Sequence, residues 1–288
     1  MRSVTAVERA AFADDGVVCL RGALDPAVVL GMAVPVEVAL RGGESADLTA
    51  MGEALAVAGN AVLRDGGADQ AAGRFVSGVD HWKARPEFAA FACDSALPRL
   101  VAELLGTDGL WLYEDSVLVK EPSTAERTAW HQDIGYFHVE GEQLATTWCP
   151  LDSVRPETGA VRYVRGSHRW VARYRPNLFV SELAIPGTEG ELTPDIDALA
   201  AAGECGIIMF STEPGDVVVH HARTLHGAGA NTSATERRRA ISVRYCGDDA
   251  VVCLRPGAPH KPHQATWTDG APFRAVDPVD HPRVWPPR

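Results

Sequence analysis

The stretch AWHQDIGYF places His131 and Asp133 two residues apart among aromatic side chains. On a β-strand, residues i and i+2 face the same side, so the imidazole and the carboxylate point together while Gln132 turns away. Two metal-ligand groups on one face need a third from elsewhere. His138, His168, His220, His221, His226 and three histidines of the tail are available, and His226 stands out: it follows the strand-like GDVVVHH and opens the small-residue loop HGAGAN, which leaves room for a ligand beside a metal. Two histidines and one carboxylate, with three positions left open, suit non-heme Fe(II) that must also take a bidentate cosubstrate and O2. The HExxH pattern of helical zinc sites is absent. Arg237 lies eleven residues beyond His226, at the head of RRRAISVRY. If that segment is a strand returning antiparallel to GDVVVHH, Arg237 approaches the mouth of the metal site and can hold a carboxylate bidentately. Arg239 shares its face, so the register between the two stays open by one strand step, and Arg238 is read as the solvated member.

The elements that must position these residues change character along the chain. Residues 1–106 read mainly helical: Thr5 to Asp14, a turn and strand at DGVVCLRG, a helix from Asp25-Pro26 to about Leu40, another over Asp47 to Val57, and two over Pro86 to Leu105 closed by Gly106. The Gly-rich segment 59–73 reads as loop. From Trp111 the segments are short, rich in β-branched and aromatic residues and separated by Pro, Gly and acidic turns: WLYEDSVLVKE, AWHQDIGYF, LATTWCPLDSV, AVRYVRG, CGIIMF, GDVVVHH and RRAISVRYC. Helices first and strands after, without βαβ alternation, predict a mainly β fold with outer helices, a jelly-roll or barrel. Residues 1–288 read as a single domain: a helical layer over about 1–106, a jelly-roll core over about 107–250, and an extended Pro- and His-bearing tail. Segment 167–205 interrupts the core as a lid or binding insertion, with a helix after Thr193-Pro194.

Composition narrows the function. With 46% hydrophobic and 23% charged residues the chain is ordinary globular protein, and a net charge of −11 without a basic tract argues against a nucleic-acid surface. No stretch is long and apolar enough to span a bilayer. The N-terminus carries acids and no apolar core, and the six scattered cysteines form no CxxC, so a cytoplasmic setting with reduced thiols is expected. The expected partner is a small-molecule substrate.

HQD at 131–133, GSH at 166–168, the run from His226 through GAGANTS to Arg237, and the opening DDGVVCLRGAL together resemble the phytanoyl-CoA dioxygenase family of Fe(II)/2-oxoglutarate oxygenases, over about residues 8–250. The resemblance implies a double-stranded β-helix of the cupin-like kind, with His131, Asp133 and His226 as iron ligands. It implies Arg237 as the anchor of the distal carboxylate of 2-oxoglutarate, and Lys120, Thr146 and Trp148 in the cosubstrate pocket. Because Asp133 is retained, hydroxylation is favoured over halogenation. Ala228 stands where many relatives carry a hydroxyl. Tyr136, Phe137 and His138 are the candidate substrate wall. The same cofactors also serve desaturation, epimerisation or cyclisation; a cupin-like metal isomerase without 2-oxoglutarate and a non-enzymatic binding module are the more distant alternatives. No basic cluster suited to coenzyme A phosphates is visible, which leaves a free small metabolite, such as a natural-product intermediate, as the expected substrate.

Overall fold

The computed structural model describes residues 2–65 and 73–287. The N-terminal part contains α1 (Ala6–Asp15), β1 (Val17–Leu20), α2 (Pro26–Gly31), α3 (Ala33–Arg41), β2 (Ala46–Asp47), α4 (Leu48–Val57), β3 (Phe75–Val79), α5 (His81–Ala84), α6 (Pro86–Cys93) and α7 (Leu97–Leu105). The rest contains β4 (Leu110–Lys120), β5 (Thr128–His131), β6 (Val139–Glu140), β7 (Leu144–Pro150), β8 (Val161–Val164), α8 (Ile196–Ala201), β9 (Ile207–Met209), β10 (Val217–His221), β11 (His226–Ala228), β12 (Arg238–Cys246), β13 (Val251–Val252) and β14 (Arg283–Trp285).

Local chemistry explains most boundaries. Thr5 and Glu8 form a capping box that starts α1, Asp25 caps α2 with Pro26 in its first turn, and Gly106 closes α7 in the left-handed conformation. The helix expected from Asp25 to Leu40 is instead two, broken at Met32. Pro35 is the reason: it has no N–H to offer the carbonyl of Gly31, and its ring crowds that carbonyl. β3 was hidden behind the Gly-rich segment 59–73, of which residues 66–72 lie outside the described residues. Besides the expected strand β1, the mainly helical layer therefore also lends β2 and β3 to a sheet.

That sheet runs β1-β10-β7-β12-β4-β3-β2, with β14 added beside β4, and a second runs β5-β11-β8-β9. They face one another as a jelly-roll, and helices cover the outside of the larger one. Alternation along the large sheet separates two kinds of surface. Val117, Val119, Cys149, Val219, Ile241 and Val243 point outward into the apolar core shared with Val36, Phe88 and Leu100 of the helices. Ser242, Thr146, His220 and the two arginines Arg238 and Arg244 point inward to a chamber between the sheets. The buried apolar face thus lies outside the barrel and the polar face inside it. Among the described residues no helix is long and apolar enough to cross a membrane.

The insertion 167–205 crosses the smaller sheet. Asp195 caps its one helix, α8, through the Ala198 N–H. Farther up the segment, Phe179 takes a left-handed backbone, φ 64°, which a phenylalanine rarely adopts. Its N–H donates to Asn177 Oδ1 and its carbonyl accepts from Ala129 N–H at 2.7 Å, and these bonds hold the ring 5.0 Å from that of His131.

Candidate metal centre

His131 is the last residue of β5 and His226 the first of β11, and the two are direct partners across this antiparallel pair. Gln132 keeps an extended backbone, and a short 3-10 turn then begins at Asp133. The i, i+2 relation expected of one strand therefore survives although the strand has ended. Gln132 turns away and braces the turn, donating to Arg223 O at 2.7 Å.

His131, Asp133 and His226 form the one cluster of potential ligands found among the described residues, all three buried, with one ligand atom of each within 4.8 Å of the others. Both imidazoles are fixed in the same way. Nδ1 of His131 donates to Ala129 O at 2.8 Å and Nδ1 of His226 to Thr224 O at 2.9 Å, so each Nε2 keeps its lone pair for a metal. Each Nε2 lies 3.7 Å from Asp133 Oδ1. The other carboxylate oxygen, Oδ2, is already engaged: Thr146 Oγ1 donates to it at 2.6 Å and His220 Nε2 at 3.3 Å. Asp133 thus offers a single oxygen.

Electrostatics suit a divalent cation. Burial pushes the His131 imidazole down to about 3 and that of His226 down to about 4, so both are neutral at pH 7 and need lose no proton to ligate. Burial would raise the Asp133 carboxyl, but the surrounding imidazoles, the His220 hydrogen bond and the Arg244 guanidinium outweigh it and keep it ionised. Two neutral nitrogens and one anionic oxygen leave a divalent iron partly uncompensated, as binding of an anionic cosubstrate requires.

Of the three consecutive arginines, the structure brings Arg238 and not its neighbours to the chamber. Arg237 pairs with Glu37 and Glu121, each at 2.6 Å, and Arg239 with Asp152 at 2.7 Å and Glu37 at 3.2 Å. Both face α3, on the same side of β12 as Ile241 and Val243. The alternation read from the sequence is right, but the inward side is the one that carries Ala240, Ser242 and Arg244. Arg238 is 1% exposed, lies 5.8 Å from the Trp148 ring, and its guanidinium makes no hydrogen bond among the described residues. The hydroxyl of Tyr163, which also lines the chamber, is likewise buried and without a partner among the described residues. A buried guanidinium and a buried phenol without partners fit the distal carboxylate of a dicarboxylate cosubstrate. Tyr163 could have been found from AVRYVRG, where it shares a strand face with Val161; in the fold it lies opposite His226 across β8 and β11.

The remaining expectations divide. Trp148 lines the chamber, and Thr146 serves Asp133 directly. Lys120 lies outside: its ammonium donates to the carbonyls of Glu126 and Gly229, at 2.8 and 2.6 Å, over the face of Phe75. Gly227 and Ala228, expected in a loop, form β11 between β5 and β8, and a side chain on Gly227 would meet Thr128 O at 2.9 Å. Tyr136 and Phe137 wall an outer cavity of about 310 Å³ that joins the chamber. His138 does not reach it. Its Nε2 donates to Pro259 O and its Nδ1 accepts from Arg255 N–H, pinning the C-terminal segment.

Comparisons with known proteins agree with this geometry. Residues 12–240 match the family model described as Phytanoyl-CoA dioxygenase (PhyH). The chain is 30% identical over 158 residues to a probable alpha-ketoglutarate-dependent hypophosphite dioxygenase of Stutzerimonas stutzeri, covering 55% of this chain and 52% of that protein. It is 28% identical over 200 residues to an L-proline trans-4-hydroxylase of Streptomyces griseoviridis, covering 63% of this chain and 69% of that one. The chain thus spans about half the length of the first relative and about two thirds of the second. Among solved structures, the non-heme alpha ketoglutarate dependent carbocyclase SnoK from nogalamycin biosynthesis superposes with a TM-score of 0.68 at 23% identity, covering 98% of this chain and 96% of that one, which shows the shared fold. With the family model spanning most of its length, the chain belongs to the phytanoyl-CoA dioxygenase (PhyH) family.

Proposed function

We propose that the protein is an Fe(II)/2-oxoglutarate-dependent dioxygenase that hydroxylates an unactivated C–H of a small metabolite, with release of succinate and CO2. The carrying observation is the open ligand set of His131, Asp133 and His226 beside Arg238, a buried guanidinium with no ion-pair partner among the described residues. His131, Asp133 and His226 would hold the metal, with Thr146 and His220 keeping Asp133 turned to it. Arg238 and Tyr163 would take the distal carboxylate of 2-oxoglutarate, beside Trp148. Bound iron and 2-oxoglutarate together supply O2 activation coupled to oxidative decarboxylation of the cosubstrate. Phe179, Tyr136 and Phe137 shield the chamber from water and shape the approach of the substrate, and segment 167–205, which carries Phe179, serves as the lid. Six cysteines without a disulfide support a reducing, cytoplasmic setting.

The test is anaerobic. Fe(II) and 2-oxoglutarate added to the purified protein should give a visible metal-to-ligand charge-transfer band. His226→Ala should abolish it and Arg238→Met should weaken it, while Arg237→Ala should leave it intact. Iron binding without a band would overturn the assignment in favour of a metal enzyme that does not use 2-oxoglutarate. The likeness to a carbocyclase keeps cyclisation as the second reading. Incorporation of label from isotopic O2 into product separates the two, since hydroxylation transfers an oxygen atom and ring closure does not.

A further inference from the structure

Leu118, Asp133, Phe179 and Arg244 line both the metal chamber and the outer cavity, and so form the doorway between them. Arg244 is the cation of that doorway. It lies on the inward face of β12, paired with Glu114 of β4 on one side and Thr146 of β7 on the other. A guanidinium has five N–H donors. Among the described residues one of them is engaged, by Ser116 Oγ at 2.6 Å; Nε is buried with no partner there, and the nearest outer-cavity carboxylate, Glu114, is 3.7 Å away.

Glu114 does not neutralise it. That carboxylate is drawn to Lys261, whose ammonium lies 2.6 Å from Glu114 and 2.8 Å from Asp80. Lys261 therefore has two anions, while Arg244 has a hydroxyl and a distant share of one. Asp133 faces Arg244 from the chamber side, but its oxygens are committed to Thr146, His220 and the ligand position. The outer cavity is also lined by the rings of Tyr113, Tyr136, Phe137 and Phe179. A volume of about 310 Å³ is at the small end of ligand pockets, room for one or two rings.

Resting on the dioxygenase reading above, we propose that Arg244 is the specificity-determining residue for the substrate, which is a small carboxylate with a cyclic apolar body. Its carboxylate takes the free donors of Arg244 at the doorway and its body packs on the aromatic wall. Arg238 holds the cosubstrate and Arg244 the substrate, six residues apart on one face of one strand.

Phenylacetate is the probe, with 2-phenylethanol and 2-phenylethylammonium as neutral and cationic counterparts. Dissociation constants are measured by ligand-observed NMR on protein loaded with Zn(II) and saturating 2-oxoglutarate, so that the metal and Arg238 are already occupied. One charge-assisted contact predicts a preference for phenylacetate over the alcohol of about ten-fold or more. Arg244→Met should erase the preference and Arg244→Lys should retain part of it, with 2-oxoglutarate affinity changed by less than about three-fold in both. Equal binding of the three probes, or preference for the ammonium, overturns the inference and leaves the dioxygenase reading standing. Loss of 2-oxoglutarate binding in Arg244→Met but not in Arg238→Met also overturns it, by making Arg244 the cosubstrate anchor. Failure of the unaltered protein to bind 2-oxoglutarate with metal sinks the dioxygenase reading, and this inference with it.

Discussion

Asp133 shows how much of a metal site is built by residues that never touch the metal. One oxygen faces the two imidazoles, and the other is tied down by Thr146 and His220 from the opposite sheet. Thr146→Val removes the shorter tie while keeping the shape, and partners of this kind are worth about 10- to 100-fold in metal affinity. Competition with a chromogenic chelator should therefore show weaker metal binding at nearly unchanged thermal stability; unchanged affinity would mean that His220 suffices. The arginines give a second comparison. Arg238→Met should raise the KM for 2-oxoglutarate about 100-fold or more, the loss of a buried bidentate partner. Arg237→Ala should leave it within about two-fold and lower only stability, because its ion pairs with Glu37 and Glu121 are partly exposed and lie outside the chamber. Steady-state kinetics with varied 2-oxoglutarate separates the two.

At the scale of elements, β11 is held on both edges, by β5 and by β8, and Gly227 sits at its centre with the Thr128 carbonyl 2.9 Å from where a side chain would begin. Gly227→Ala must push β5 and β11 apart, and overpacking of this sort costs about 1–3 kcal/mol. Urea unfolding should show that loss, together with weaker metal binding, since the two strands carry both histidines. The same strands show what was legible beforehand. HQD and the later His226 could be read because ligand chemistry restricts residue type and because i, i+2 spacing survives the end of a strand. The start of α1, the cap of α2 and the stop of α7 could be read because capping is local. The split at Met32 needed weight on Pro35, and β3 needed its partner β4, since five residues of FVSGV carry little signal alone. The inward arginine was misplaced for a more general reason. In an ordinary sheet a polar face looks to solvent, but here the apolar face, with Ile241, Val243 and Tyr245, is covered by helices and the polar face looks into the chamber.

Across the whole molecule, buried neutral imidazoles make stability depend on pH. Burial lowers His281 to about 3, where its Nδ1 donates to Leu112 O and ties the tail to β4, and lowers His221 to about 4. In the unfolded chain both titrate near the ordinary value of about 6.5. Below that value the unfolded state takes up protons that the folded state refuses, so stability is full above about pH 6.5 and falls as pH drops towards 4, by up to about 1.4 kcal/mol per pH unit per group. Urea midpoints should decline from pH 7 to pH 5, and His281→Asn, which keeps a donor for Leu112, should flatten part of that slope. The placement of the ligands has one more consequence. His131 and His226 are nearest neighbours in space yet 95 residues apart in the chain, and they meet only when β5 and β11 pair. A bound metal therefore clasps the two ends of a long loop, and its binding energy goes to the native state alone, about 2.7 kcal/mol when free metal is a hundred times its dissociation constant. Chelation should speed amide hydrogen exchange in β5 and β11 before it does so in the eight-stranded sheet. Loss of metal would then register as a local opening at the seam long before the barrel itself came apart.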